Sequence, residues 1–202
     1  MTSDEMSNKL REAFPAAVID QSRFRDESTL RIQASALREV CLHARDTLGF
    51  SYLIDVSSVD HFGNEPRYEV VYELYSMKDC VHLRLKISVS EDDCTVPTVS
   101  DIWPTADWHE REVYDMMGIQ FSDHPDLRRI LMWDGYPYHP LRKDFPLQGK
   151  HSDLPGVAFT EPAPLAGGPF VTVPTDGTTQ VREPRARHTG DLVPPEKFIA
   201  EP

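Results

Sequence analysis

The chain has 202 residues, 21 of them Lys or Arg and 33 Asp or Glu, for a formal net charge of −12. That balance argues against a general nucleic-acid binder and against a polybasic membrane anchor. With 40% hydrophobic residues, the chain can bury one real core and carry an appendage. No run approaches the roughly 18 consecutive apolar residues of a membrane span. The start, MTSDEMSNK, has neither an apolar signal core nor an Arg-rich transit pattern. A soluble, cytoplasmic chain without an anchor of its own is expected. Cys41, Cys80 and Cys94 form no CxxC, so the expectation is three reduced thiols rather than a disulfide framework or a closed zinc or iron–sulfur site.

In chain order, residues 5–14 read as a short helix stopped by Pro15. Residues 16–20 and 29–33 are short β-type runs, separated by the polar stretch 21–28. Ser35 can cap a helix reaching to about Gly49, because Leu37, Val40, Cys41, Ala44 and Leu48 share one helical face. Three strands follow. Tyr52, Ile54 and Val56 alternate with polar neighbours apart from Leu53. Tyr68, Val70, Tyr72 and Leu74 alternate with Glu69, Val71, Glu73 and Tyr75. The cleanest run sets Val81, Leu83, Leu85, Ile87 and Val89 against His82, Arg84, Lys86 and Ser88. Strict alternation marks strands with one core face and one polar face. The links around Gly63-Asn64 and Lys78-Asp79 suit hairpins. Further on, Thr105 or Asp107 can cap a helix ending at Gly118, with Glu110 in capping-box position to Asp107. The fold class is α+β: an antiparallel sheet of about four to five strands with helices on one face, followed by an extended Pro-rich C-terminal arm.

Proline and charge divide the chain. Five of the 17 prolines lie in residues 1–136 and 12 in residues 137–202. Residues 1–120 carry a net charge of −10, whereas residues 121–150 carry +1. The expected organisation is an α+β core over 1–120, a segment over 121–150 continuous with it, and an arm over 151–202. The arm has 9 Pro and 5 Gly in 52 positions, too many to hold a packed core. Scattered Phe159, Phe170 and Phe198 fit an arm that docks on something else.

Chemistry-bearing residues crowd into 108–149. His109-Glu110 begins like a zincin helix, but Val113 stands where the second histidine is needed. Glu110 and Glu112 lie two apart on a helix and point to different faces, the wrong geometry for an acid/base pair. No Gly-x-Ser-x-Gly elbow or Cys–His arrangement occurs. An ion-pair lattice is the better reading. Arg111 and Asp115 are helix neighbours, and the runs Arg128-Arg129 and Arg142-Lys143-Asp144 can reach acids on that helix. Trp108, Tyr114, Trp133, Tyr136, Tyr138 and Phe145 interleave with these charges. Arginine with aromatics is the composition of a protein–protein interface.

The same residues carry a resemblance. Glu110-Arg111-Glu112 is followed after two residues by Asp115, then Met116-Met117, and after six more by His124. Arg128 follows after three, then Ile130-Leu131. Ile102–Pro104 (IWP), His124–Leu131 (HPDLRRIL) and His139–Leu147 (HPLRKDFPL) flank or complete the pattern. This resembles the thirty-kilodalton subunit family of respiratory complex I, the proton-pumping NADH:quinone oxidoreductase, over roughly residues 10–150. Met117 departs from it, standing where Phe is more frequent.

The resemblance implies a non-catalytic structural subunit of the quinone-reducing module in the peripheral arm. It implies no catalytic residue, cofactor or metal on this chain, with FMN, iron–sulfur clusters, NADH and quinone held elsewhere in the complex. Expected partners are the large quinone-site subunit, the small iron–sulfur subunit and other peripheral-arm subunits. Membrane attachment would run only through the complex, on the cytoplasmic side of the bacterial inner membrane. Glu110, Arg111, Glu112, Asp115, His124, Arg128, Arg129, His139, Arg142, Lys143 and Asp144 are the expected interface residues. Truncating Arg128 or Arg129 would then weaken assembly more than the isolated fold. Two alternatives stand beside this reading. One is an equivalent subunit of a membrane-bound hydrogenase or another quinone-linked dehydrogenase. The other is a metal-dependent enzyme using His109, His124 and His139.

Overall fold

A computed structural model describes residues 1–147 and 149. The arm expected over 151–202 lies outside the described residues. Met1–Phe145 form one compact unit.

Helix α1 spans Ser3–Ala13 and starts earlier than the sequence suggested. Thr2 caps it: its hydroxyl accepts the Glu5 amide at 3.2 Å, and the Glu5 carboxylate accepts the Thr2 amide at 3.0 Å. This is a full capping box. Strands β1 (Val18–Phe24) and β2 (Glu27–Ile32) follow as a tight antiparallel hairpin. The polar stretch expected to separate two short strands is the tip of that hairpin instead. Arg25 and Asp26 both take positive φ, 49° and 65°, the twist a two-residue hairpin turn requires. No glycine announces the turn, so composition alone hid it.

After a 3-10 turn at Ala34–Ala36 comes α2, Leu37–Asp46. Ser35 lies within that turn and does not cap the helix; the N-cap is Ala36, with no side-chain hydrogen bond. The helical face is as expected: Leu37, Val40, Cys41 and Ala44 are fully buried. Strands β3 (Tyr52–Asp60), β4 (Tyr68–Ser76) and β5 (Val81–Val89) form an antiparallel meander. Pairing shifts between Leu53 and Asp55. Leu53 and Val56 therefore both turn inward, while Tyr52 is exposed. This irregularity explains the Leu53 that broke the alternation.

The large sheet has the order β1-β2-β5-β4-β3. Strands β2 and β5 run parallel, with Leu30 opposite Leu85 and Arg31 opposite Lys86. The sheet is thus five-stranded and mixed rather than wholly antiparallel. The chain leaves β2, passes through α2 and the outer two strands, and returns along β5 in the same direction as β2. Val70, Tyr72, Leu74, Leu83, Leu85 and Ile87 on one sheet face meet Met6, Leu10, Val40 and Ala44 from the helices.

Strand β6 (Thr95–Pro97), α3 (Ala106–Met117) and β7 (Gln120–Ser122) complete the regular structure. The short parallel pair β6–β7 brings the two ends of this passage together. Gly118 ends α3 in the left-handed conformation, φ 77° and ψ 19°, where a side chain would be strained. Among the described residues, no helix is long and apolar enough to cross a membrane.

Candidate docking site

Residues 123–145 have no regular element, so their backbone groups need other partners. Helix α3 supplies many of them. The fully buried Asp115 places Oδ2 at 3.1, 2.7 and 2.8 Å from the amides of Ile130, Leu131 and Met132, which all donate to it. Its Oδ1 accepts the Arg129 guanidinium at 2.5 Å, and its carbonyl accepts the same group at 3.1 Å. Burial pushes this carboxyl up, but the three amides and Arg129 outweigh it and hold it below the ordinary range. The expected helix pair Arg111–Asp115 does not form. Arg111 is buried instead, donates to the Arg128 carbonyl at 3.2 Å, and lies over the Trp108 ring at 4.9 Å.

The C-terminal end of α3 makes a second attachment. His139 Nδ1 is 2.9 Å from the Asp115 carbonyl, and Arg142 Nε donates to the Met117 carbonyl at 2.7 Å. Both side chains lie against Gly118. A Cβ there would come within 2.7 Å of the His139 ring and would collide with the Arg142 guanidinium. Burial moves the His139 imidazole to a lower pKa, and the Arg142 and Arg129 charges add to that effect.

A third attachment reaches the sheet. Arg67 is almost wholly buried and donates twice to Asp60, each time at 3.0 Å. It also donates to Glu91 at 2.6 Å and to Asp144 at 2.7 Å. The Lys143 amide donates to Asp60 Oδ2 at 2.8 Å. The Arg67 guanidinium holds the Asp60 carboxyl below its usual range, against burial, and does the same for Asp144. Sequence reading missed Arg67 and Asp60, because they stand outside the charged run and nothing in a strand end advertises a buried ion pair.

Glu110 belongs to a fourth attachment. It is fully buried and accepts the Thr98 hydroxyl at 2.5 Å and the Val99 amide at 2.8 Å. The capping box expected between Asp107 and Glu110 is therefore absent. Thr105 stands at the N-cap without a side-chain hydrogen bond, and Glu110 serves the preceding turn. His124, whose side chain has no exposed surface, sets Nε2 3.1 Å from Asp107 Oδ1 and 3.8 Å from Glu110 Oε2.

The eleven expected interface residues thus divide. Glu110, Arg111 and Asp115 are buried within the chain, and the His124 side chain is too; Arg129, His139 and Arg142 are partly buried and attached to α3. Glu112, Arg128, Lys143 and Asp144 are exposed. Among the described residues, Arg128 forms its one ion pair with the neighbouring, likewise exposed Asp126. Arg129 is tied to Asp115 within the chain, so its truncation should also cost the isolated fold; the expectation was that truncating either arginine would weaken assembly more than the fold. Outward from the same framework stand Trp108, Leu131, Trp133 and Leu141, exposed by 62, 57, 38 and 61%. His109 pairs with Asp55 on β3 at 3.1 Å, away from His124. Among the described residues, no group of three or more His, Cys, Asp or Glu side chains is arranged to hold a metal ion. Cys41, Cys80 and Cys94 are free.

Residues 30–151 match the family described as the 30 Kd subunit of respiratory-chain NADH dehydrogenase. The chain belongs to that family. The C subunit of NADH-quinone oxidoreductase from Geobacter sulfurreducens is 49% identical to this thirty-kilodalton-family chain over 142 residues, covering 70% of it and 88% of the relative. Its counterpart in Methylobacterium sp. is 44% identical over 168 residues, covering 80% and 77%. A solved trypsin-resistant fragment of Nqo5 is 29% identical, with a TM-score of 0.55, covering 63% of this chain and all of the fragment. A chain of the membrane-bound sulfane sulfur reductase, an archaeal respiratory membrane complex, is 26% identical with a TM-score of 0.62. It covers 71% of this chain and 85% of that one. As a family member, the chain is a subunit that works with other subunits.

Proposed function

We propose that this chain is a non-catalytic structural subunit of the quinone-reducing module of proton-translocating NADH:quinone oxidoreductase. In this reading it braces the large quinone-site subunit and lies near the small iron–sulfur subunit. Electrons pass from NADH through FMN and iron–sulfur clusters to quinone on the other subunits. The complex carries the chain at the cytoplasmic side of the bacterial inner membrane as a peripheral component. The observation that supports this most is the division of labour around α3. The signature carboxylates Glu110 and Asp115 are consumed in fastening neighbouring backbone, the 98–99 turn and residues 130–132, which leaves Trp108, Leu131, Trp133 and Leu141 outward. Buried fasteners under exposed aromatics and leucines make a stiff apolar platform, which suits docking.

Tagged chain isolated gently from detergent-solubilised membranes tests this. Recovery with a large quinone-site subunit, iron–sulfur subunits and flavoprotein subunits that oxidise NADH is the expected result. The likeness to the sulfane sulfur reductase chain favours a second reading, a related respiratory complex with another redox partner. Recovery with hydrogenase-type subunits and no NADH-oxidising module would move the assignment there. A monomer without partners would overturn both.

A further inference from the structure

Two signature carboxylates are fully buried, and among the described residues only one of them meets a permanent cation. Asp115 has Arg129. Among the described residues, no Lys or Arg forms an ion pair with Glu110, and its nearest basic neighbour is the His124 imidazole at 3.8 Å. The surrounding elements offer little positive charge. Asp107 on α3 and Asp101 on the 98–101 turn both oppose a negative charge at Glu110. From α2 and β4 the buried Cys41 thiol and Tyr72 hydroxyl face it. Arg38 of α2 is engaged with Asp101 through two 2.7 Å bonds and with the Thr98 carbonyl at 2.8 Å. His124 Nδ1 accepts the Asp126 amide at 3.1 Å, which leaves Nε2 as the ring nitrogen on the Asp107 and Glu110 side.

The hydroxyl beside Glu110 has two places to send its hydrogen. Thr98 Oγ1 lies 2.5 Å from Glu110 Oε2 and 2.9 Å from Ser100 Oγ, while it accepts the Ser100 amide at 3.1 Å. With Glu110 ionised, the hydroxyl donates to the carboxylate. With Glu110 protonated, the carboxyl donates to Thr98 Oγ1, and the Thr98 hydrogen turns to Ser100. Both protonation states are then hydrogen-bonded, and only the ionised one leaves a buried charge without a cation.

We propose that Glu110 is a proton-dependent catch, firm when protonated and loosened when ionised, between α3 and the 98–101 turn. Burial, reinforced by Asp107 and Asp101 and opposed by Thr98 and Val99, raises this carboxyl to about 7. The folded chain therefore holds the proton more tightly than an unfolded glutamate does. The contribution is full below the ordinary glutamate range near about 4.3. It is lost as pH rises through about 7.

The test uses the full chain by itself, so its outcome is separate from that of the subunit assignment. Urea unfolding from pH 5 to 8.5 is compared between wild type and Glu110→Gln, which keeps the shape and the hydrogen bonds. The wild-type folding constant, relative to the variant, should fall about tenfold per pH unit up to neutrality and then level off. Carbon-13 NMR of the Glu110 carboxyl in wild type, assigned by through-bond correlation, supplies a readout that needs no variant. Its signal should titrate near neutrality, and Thr98→Val should move the midpoint upward by removing a donor to the anion. A carboxyl that titrates below pH 5, or parallel pH dependence in wild type and Glu110→Gln, would overturn the proposal.

Discussion

The outer face of the large sheet and the junction beneath residues 123–145 are both built from ion pairs, yet the pairs do different things. On the sheet face Glu69 accepts Arg31 at 2.8 Å and Lys86 at 2.6 Å, and Arg84 bridges Glu73 at 2.8 Å and Glu27 at 3.1 Å. The strands beneath are already tied by the backbone ladder, and the basic members are partly solvated. At the junction, Asp115 holds three backbone amides that no ladder serves. A charge that decorates finished secondary structure is dispensable, and a charge that substitutes for secondary structure is not.

Removing Asp115 is the strongest way to break that contrast. Asp115→Ala orphans three amides and strands Arg129, and should cost about 3–5 kcal/mol in urea unfolding of the full chain. A loss like that of a surface pair would put the two regions on a par. Acid comes next. Asp60, Asp115 and Asp144 are all held below the ordinary range, so the stability they supply is present above it. That stability should drain away as pH falls below about 4. Backbone NMR during an acid titration should show the amides of residues 130–132 and 142–144 losing their native shifts only as pH falls below about 4.

Smaller effects sharpen the picture. Gly118→Ala meets left-handed strain as well as the His139 ring and should cost about 1–3 kcal/mol. The loss should be read together with weakened amide protection at Leu141, whose N–H donates to the Met116 carbonyl at 3.1 Å. Arg84→Ala on the sheet face should change unfolding free energy by only about 0–1 kcal/mol, with salt reducing even that.

Much of the fold was legible because its elements declare themselves through period. Val81–Val89 could face a core only as a strand, and Leu37–Leu48 only as a helix. The β1–β2 turn was illegible because Arg25 and Asp26 adopt positive φ without glycine. The parallel β2–β5 pairing was illegible because strand direction depends on the path of the chain through α2, β3 and β4. For the candidate site, residue spacing picked out the charged run that the structure gathers around α3, and the resemblance named its family. It misassigned partners, giving Asp115 to Arg111 and Glu110 to an N-cap.

The α+β class, most element positions, the family signature and the charged, aromatic composition of residues 108–149 were all written along the chain. They follow from local periodicity, turn chemistry and residue spacing, which are set before folding begins. Packing alone turned Glu110 and Asp115 inward, brought Arg67 and Asp60 into the site, and separated the roles of Arg128 and Arg129. The reason is that carboxylate partners are chosen by burial and by which backbone amides lack a ladder. Both depend on how 123–145 lies across α3, and no spacing rule along the chain encodes that.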